Sequence, residues 1–212
     1  MTKLTLPFLL IALAASAAAA PVPDEAKAPV MFFPTTPVTW VYEYRLGNEL
    51  VSEVAETVIA VTDQDGMKVV ALGTVDAGKA RPDDRAVAVS ARGLVSGVKP
   101  PDGRFVPRAT ILRVPVVPGE QWAGGRPGGF VPVWRVTTRG PEEVVVPAGR
   151  FQAVRVDATY VGADRSQKHD RSWYAPGVGA VRREFDSGVV HVLKRFIRGT
   201  HWEPYRPQIV QP

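Results

Sequence analysis

The residues able to do chemistry are few and scattered. The chain of 212 residues has no cysteine and three histidines, His169, His191 and His201. No two of these stand at the i, i+2 or i, i+4 spacing that brings two imidazoles to one metal ion. With charged residues close by in sequence, His169 and His191 read as surface or rim positions. The lack of cysteine excludes disulfides, zinc–thiolate sites and a thiol nucleophile. His169-Asp170 offers two parts of a hydrolytic triad, but the third part is missing. Gly93-Leu94-Val95-Ser96-Gly97 places its serine one residue away from a G-x-S-x-G elbow. Asp63-Gln64-Asp65-Gly66 opens like a calcium loop, yet the later ligands and the bidentate glutamate do not follow, and a hairpin turn accounts for it. The acidic doublets Asp83-Asp84 and Glu142-Glu143 read as solvated loops. The glycines at 124, 125, 128 and 129 precede no helix and make no phosphate cradle. The expectation is a protein that is not an enzyme, with no cofactor and no metal.

Aromatic residues are the remaining candidates. Trp40, Tyr42 and Tyr44 stand at alternate positions, and Trp134, Val154, Val156 and Tyr160 repeat the pattern elsewhere. Residues two apart on a strand share a face, so these side chains can line one concave apolar surface. Trp40, Tyr42, Tyr44, Trp134, Val156 and Tyr160 are therefore the candidate ligand-binding residues, for an apolar or amphipathic molecule. The same residues can equally fill a core, where each contributes roughly 1.5–3 kcal/mol on full burial. Both alternatives stand at this point.

The elements that must position them are strands. Residues 142–185 form a meander cut by glycine and proline, in which Val154, Val156, Ala158 and Tyr160 alternate with Arg155, Asp157 and Thr159. Residues 39–46 alternate in the same way, and Gly47-Asn48 turns them into residues 50–61. Asp65-Gly66 turns those into residues 67–75. Residues 76–85 and 119–130 read as loops, and 86–90, 94–98, 109–114, 131–138 and 189–197 as further extended segments. No stretch after the first twenty residues keeps apolar spacing of three and four, so little or no helix is expected. Roughly nine to eleven strands in one domain call for a sandwich, a barrel or a strongly curved sheet. Twenty prolines and nineteen glycines lie between apolar runs, as in a turn-rich β protein. A proline-stiffened lead-in occurs twice: Phe33-Pro34-Thr35-Thr36-Pro37 precedes Trp40, and Val114-Pro115-Val116-Val117-Pro118 precedes Trp122. It marks either a duplicated half-domain or one local device used twice at a sheet rim.

Residues 1–20 combine Lys3, an apolar run over residues 4–13 and a small-residue end, the anatomy of a secretory signal peptide cut after Ala18 or Ala19. The alternative, an uncleaved anchor, has only alanine to extend its apolar run. Without Lys3 the formal charge of +5 becomes +4, too weak a field to imply nucleic acid. Residues 21–32 read as a flexible leader, 33–199 as the β-domain and 200–212 as a C-terminal tail.

Four segments carry a resemblance: PTTPVTWVY at 34–42, PVVPGEQW at 115–122, VPAGRFQAVRV at 146–156 and WYAPGVGAVRRE at 173–184. Across residues 33–198 they resemble secreted bacterial β-rich domains of unknown function. Those domains are similar at fold level to periplasmic lipoprotein-carrier-like half-barrels. The resemblance implies a single, strongly curved antiparallel sheet forming an open half-barrel, and by fold analogy alone a carrier role. The resulting expectation is an exported, all-β, non-catalytic binding module, periplasmic or extracellular. Its partner would be an apolar or amphipathic small molecule or an envelope protein, with no stable membrane insertion after signal cleavage. The alternative is a structural or protein-interaction domain of the envelope with a filled core.

Overall fold

A computed structural model of the chain describes residues 31–76, 79–99, 103–124, 134–161 and 165–199, apart from the side chains of residues 76, 79–82, 124 and 134. The expected signal peptide, most of the expected leader and the expected tail lie outside these residues. Every described element is a strand. The first half of the chain supplies β1 (Val38–Leu46), β2 (Glu49–Gln64), β3 (Met67–Asp76), β4 (Lys79–Ser90), β5 (Gly93–Val98) and β6 (Val106–Arg113). The second supplies β7 (Gln121–Gly124), β8 (Trp134–Val146), β9 (Gly149–Val161), β10 (Gln167–Ala175), β11 (Gly179–Glu184) and β12 (Val189–Arg198). They form one antiparallel sheet in the order β6-β5-β4-β3-β2-β1-β12-β11-β10-β9-β8-β7. The expected curved, open sheet is thus present, with twelve strands rather than nine to eleven.

The additional strands arise where polar residues disguise pairing. Residues 79–85 read as loop, yet they extend β4 alongside β3, and a register shift at Ala71/Gly73 absorbs the irregularity. Residues 121–124, inside another expected loop, pair with Trp134–Thr137 as β7. Polar Gln167–Ser172 pairs residue by residue with β9. Gly140-Pro141 interrupts no strand: β8 passes it with a shift between Thr138 and Pro141.

The architecture is two six-stranded meanders joined where β1 pairs β12. Trp40 and Trp122 each lie in the first strand of one meander, and each indole donates to a distant carbonyl. Trp40 Nε1 reaches Val178 O at 2.6 Å, and Trp122 Nε1 reaches Thr110 O at 3.1 Å. The doubled lead-in therefore marks corresponding places in the two halves. No ladder joins the outer strands β6 and β7, so the sheet is not closed into a barrel. The Trp122 bond and an Arg113–Glu120 ion pair at 2.9 Å bridge the seam through side chains.

The concave face carries the main core. Val70, Val87, Val89, Leu94, Leu112, Trp122, Val136, Val154, Val156 and Leu193 pack there with Trp40 and Tyr42. Phe32 and Phe33, just before β1, join this core, and Gly177 N donates to Met31 O at 2.7 Å. Gly179 adopts φ +94°, a region that favours glycine, and a β-carbon there would stand 3.2 Å from the Phe33 ring. A smaller cluster of Val69, Ala86, Ala88 and Phe105 covers part of the convex face.

Candidate functional site

Strand register places an unusual set of polar residues on the concave face. Residues paired across neighbouring strands point to the same side. Tyr44 pairs His191, His191 pairs Arg183, Arg183 pairs Ser172, and Ser172 pairs Val156. One inward row thus crosses β1, β12, β11, β10 and β9. Beside it, Glu56 pairs Trp40 on the same face. Arg85 comes from the irregular stretch of β4, where the shift against β3 turns its side chain toward Glu56.

Within this cluster Glu56 is buried and accepts from Arg85 Nη1 at 2.9 Å, while Asp83 takes the other side of the same guanidinium at 2.7 Å. Burial alone would raise the Glu56 pKa. The charges of Arg183 and Arg85, with the Arg85 hydrogen bond, offset that and hold it below its ordinary value. His191 is half-buried and stacks on Tyr44, with ring centroids 3.5 Å apart and planes 7° from parallel. Burial, helped by the Arg183 charge, lowers its pKa to about 4, so this imidazole is neutral at neutral pH.

Arg183 differs from the other arginines around it. Burial works against its charge, but Tyr174, Tyr42, Glu56 and Tyr44 lie close enough to hold its pKa above the ordinary value. Among the described residues its guanidinium makes no hydrogen bond and no ion pair. The buried Tyr174 hydroxyl and those of Tyr44 and Ser172 also have no described partner. The Tyr42 hydroxyl, by contrast, donates to Ala180 O at 2.8 Å, and burial pushes its pKa well above the ordinary phenol value. The result is a group of donors with few acceptors, set among aromatic and valine side chains. Arg85, half exposed, opens the group to solvent.

The six sequence candidates divide between different surroundings. Trp40 and Tyr42 are packed in the core at 1% and 4% exposure, with their polar atoms bonded to backbone carbonyls, and leave no free face. Tyr44 is half-buried and belongs to the polar cluster. Val156 is buried at the β9 end of the inward row, next to Ser172. Tyr160 lines an open cleft of about 970 Å³ with Trp122, Arg135 and Gln167. Its hydroxyl donates to Asp170 at 3.1 Å. Trp134 begins β8, and its side chain lies outside the described residues.

Glu56, Arg85, Arg183 and His191 escaped sequence reasoning. Arg183 had a signal: Arg182 and Arg183 are adjacent in a strand, and period two sends one of them inward. Arg182 takes the convex side, over the Trp173 ring at 5.6 Å and paired with Glu184. His191 is half-buried, whereas His169 is exposed. Asp63 and Asp65 serve ion pairs with Lys68 and Arg104, and Asp65-Gly66 forms a turn with both φ angles positive.

No family model matches this chain, and no curated protein matches it. Its fold is similar to two solved structures. One is a chain from Parabacteroides distasonis assigned as a lipoprotein, 14% identical with a TM-score of 0.50. The other is a chain from Bacteroides fragilis assigned as exported and having a YmcC-like fold, 16% identical with a TM-score of 0.51. Each comparison covers 80% of this chain and 100% of the other. At these identities the likeness establishes a shared fold, the open curved sheet described above.

Proposed function

We propose that the protein is an exported, non-catalytic module of the cell envelope that holds an amphipathic small molecule on the concave face of its sheet. The observation that carries this reading is the half-buried Arg183 guanidinium, which has no described hydrogen-bond partner among the tyrosines, His191 and Glu56 around it. The Glu56 charge offsets part of the cost of burying this cation, but its N–H donors are left without acceptors, which costs a fold free energy. A ligand with an acceptor headgroup gives them a role. Export rests on the basic, apolar and small-residue sequence of residues 1–20. The two similar chains, one assigned as a lipoprotein and one as exported, agree with that reading.

A second reading, a structural or protein-interaction domain, draws on the packing of Trp40 and Tyr42, which fill one end of the interior. One experiment separates the two. The purified protein is titrated with a neutral apolar dye and with anionic, zwitterionic and uncharged twelve-carbon amphiphiles below their micellar concentrations. Saturable one-to-one binding of any of them supports the module; no saturable binding of any class leaves the scaffold. Intact mass of protein recovered from the periplasm or medium tests export, and a form still beginning at Met1 in that fraction would refute it.

A further inference from the structure

We propose that the concave face carries a carboxylate-recognition site built on Arg183, which selects anionic, carboxylate-headed amphiphiles; this deepens the binding reading above and rests on it. The donor inventory argues for it first. A guanidinium offers five N–H donors in a planar fork and no acceptor, a geometry that matches a carboxylate with two parallel hydrogen bonds. In this cluster Ser172 pairs Arg183 in the strand register, and Tyr44 and Tyr174 add hydroxyls with no described partner. Ser172 and Tyr174, on the strand next to Arg183, can donate to the same oxyanion as the guanidinium.

The charges fit the same ligand. Glu56 and Asp83 share Arg85, and Asp83 is the more exposed of the two carboxylates. His191 faces Arg183 from β12 without charge at neutral pH. On the inward side this leaves Arg183 facing Glu56 at a separation beyond an ion pair, with its hydrogen-bonding fork unused. A ligand that offered donors would compete with those already present, and an uncharged head would leave the fork partly unfilled.

The apolar part of the ligand has a route. From Ser172 the inward face of β9 runs Val156, Ala158, Tyr160. Four residues of strand span roughly 13 Å, and at their end lies the open cleft lined by Tyr160 and Trp122. A medium-length acyl chain has the reach to run from the guanidinium along this line, over buried Val156, to the cleft.

Laurate, lauryl alcohol and acetate are the probes, titrated into the wild type, Arg183→Gln and Arg183→Lys. Charge-assisted hydrogen bonds set the expectation: wild type should bind laurate about ten- to a hundredfold tighter than lauryl alcohol. Acetate, which has the head but no tail, should bind at least a hundredfold more weakly than laurate. Arg183→Gln should bring laurate down to the level of the alcohol without moving the alcohol. Arg183→Lys should recover part of the loss, since it keeps the charge but not the fork. Equal affinity of wild type for laurate and the alcohol would overturn the inference while leaving the binding module intact. So would a folded Arg183→Gln that binds laurate like wild type, or acetate binding as tightly as laurate. Failure of every amphiphile to bind would refute the module itself. The wild-type comparison needs no variant, so the inference stays testable if a substituted chain does not fold.

Discussion

Tyr42 tests whether the aromatic strand β1 packs a core or faces a ligand. Its side chain is 4% exposed within the main core, and its hydroxyl donates to the carbonyl of Ala180, itself buried, at 2.8 Å. Tyr42→Phe keeps the ring and leaves that carbonyl without this partner, which should cost about 1–2 kcal/mol. Tyr42→Ala removes the ring as well and leaves a cavity among Trp40, Leu193 and their neighbours. Large-to-small changes of this kind cost about 3–5 kcal/mol. For a domain of this size each kcal/mol lowers the melting temperature by about 2–4 °C. The phenylalanine variant should therefore melt about 2–8 °C below wild type, and the alanine variant about 6–20 °C below. Equilibrium urea unfolding, with its slope checked for constancy, gives the free energies directly. A loss below about 1 kcal/mol for Tyr42→Ala would refute the packing argument, because a buried ring cannot be deleted so cheaply.

Arg183→Gln should change unfolding free energy little, by less than about 1 kcal/mol, because relief of a half-buried guanidinium without hydrogen bonds offsets the loss of its support for Glu56; a clear loss by urea unfolding would assign Arg183 a structural role. Gly179 has φ +94° and a β-carbon there would stand 3.2 Å from the Phe33 ring, while Gly149 has φ +134° in open space. Valine should thus cost about 2–4 kcal/mol at 179 and about 1–2 kcal/mol at 149, and unchanged urea midpoints would contradict both. Acid should weaken the fold through His191, whose folded pKa of about 4 lies below an unfolded value of about 6.5. Its contribution is complete above the unfolded value and is lost as pH falls through that window toward 4. Discounted for a half-exposed ring, this amounts to about 1–2 kcal/mol. Glu56, held below its ordinary pKa, extends the loss to lower pH. His191→Phe should show a shallower fall in stability between about pH 7 and 4, and an unchanged pH profile would sink this assignment.

Strand alternation made much of the sheet legible. Val154 to Tyr160 and Thr39 to Leu46 have side chains whose chemistry changes at every residue, and that period shows without any partner strand. Gly47 and Asp65-Gly66 announced their hairpins because both turns need positive φ. The segments that were not legible as strands are short, as at residues 121–124, or pair their backbones under mainly polar side chains. Gln167-Lys168-His169-Asp170 alternates in space but not in hydropathy, so nothing in its composition separates it from a loop. The site was less legible than the fold for a related reason. Glu56 lies in a strand with apolar residues on both faces, and its inward direction depends on its register with Trp40. Arg85 reaches it only because the β3–β4 pairing slips. Those are relations between strands, and a single sequence records them weakly. Trp40 and Tyr42 show the converse difficulty: an aromatic stripe looks the same in sequence whether a core or a ligand covers it.

The most direct measurement of the central claim is carbon NMR of laurate labelled at its carboxyl carbon and bound to the protein. A carboxylate seated on the Arg183 guanidinium should give one bound resonance, and the arginine charge should keep it ionised at pH values below the ordinary carboxyl range. Arg183→Gln should abolish that resonance or return its titration to that of an unpaired fatty acid. A bound carboxyl in wild type that protonates above its ordinary range, as it would in an apolar groove without a cation, would contradict the account.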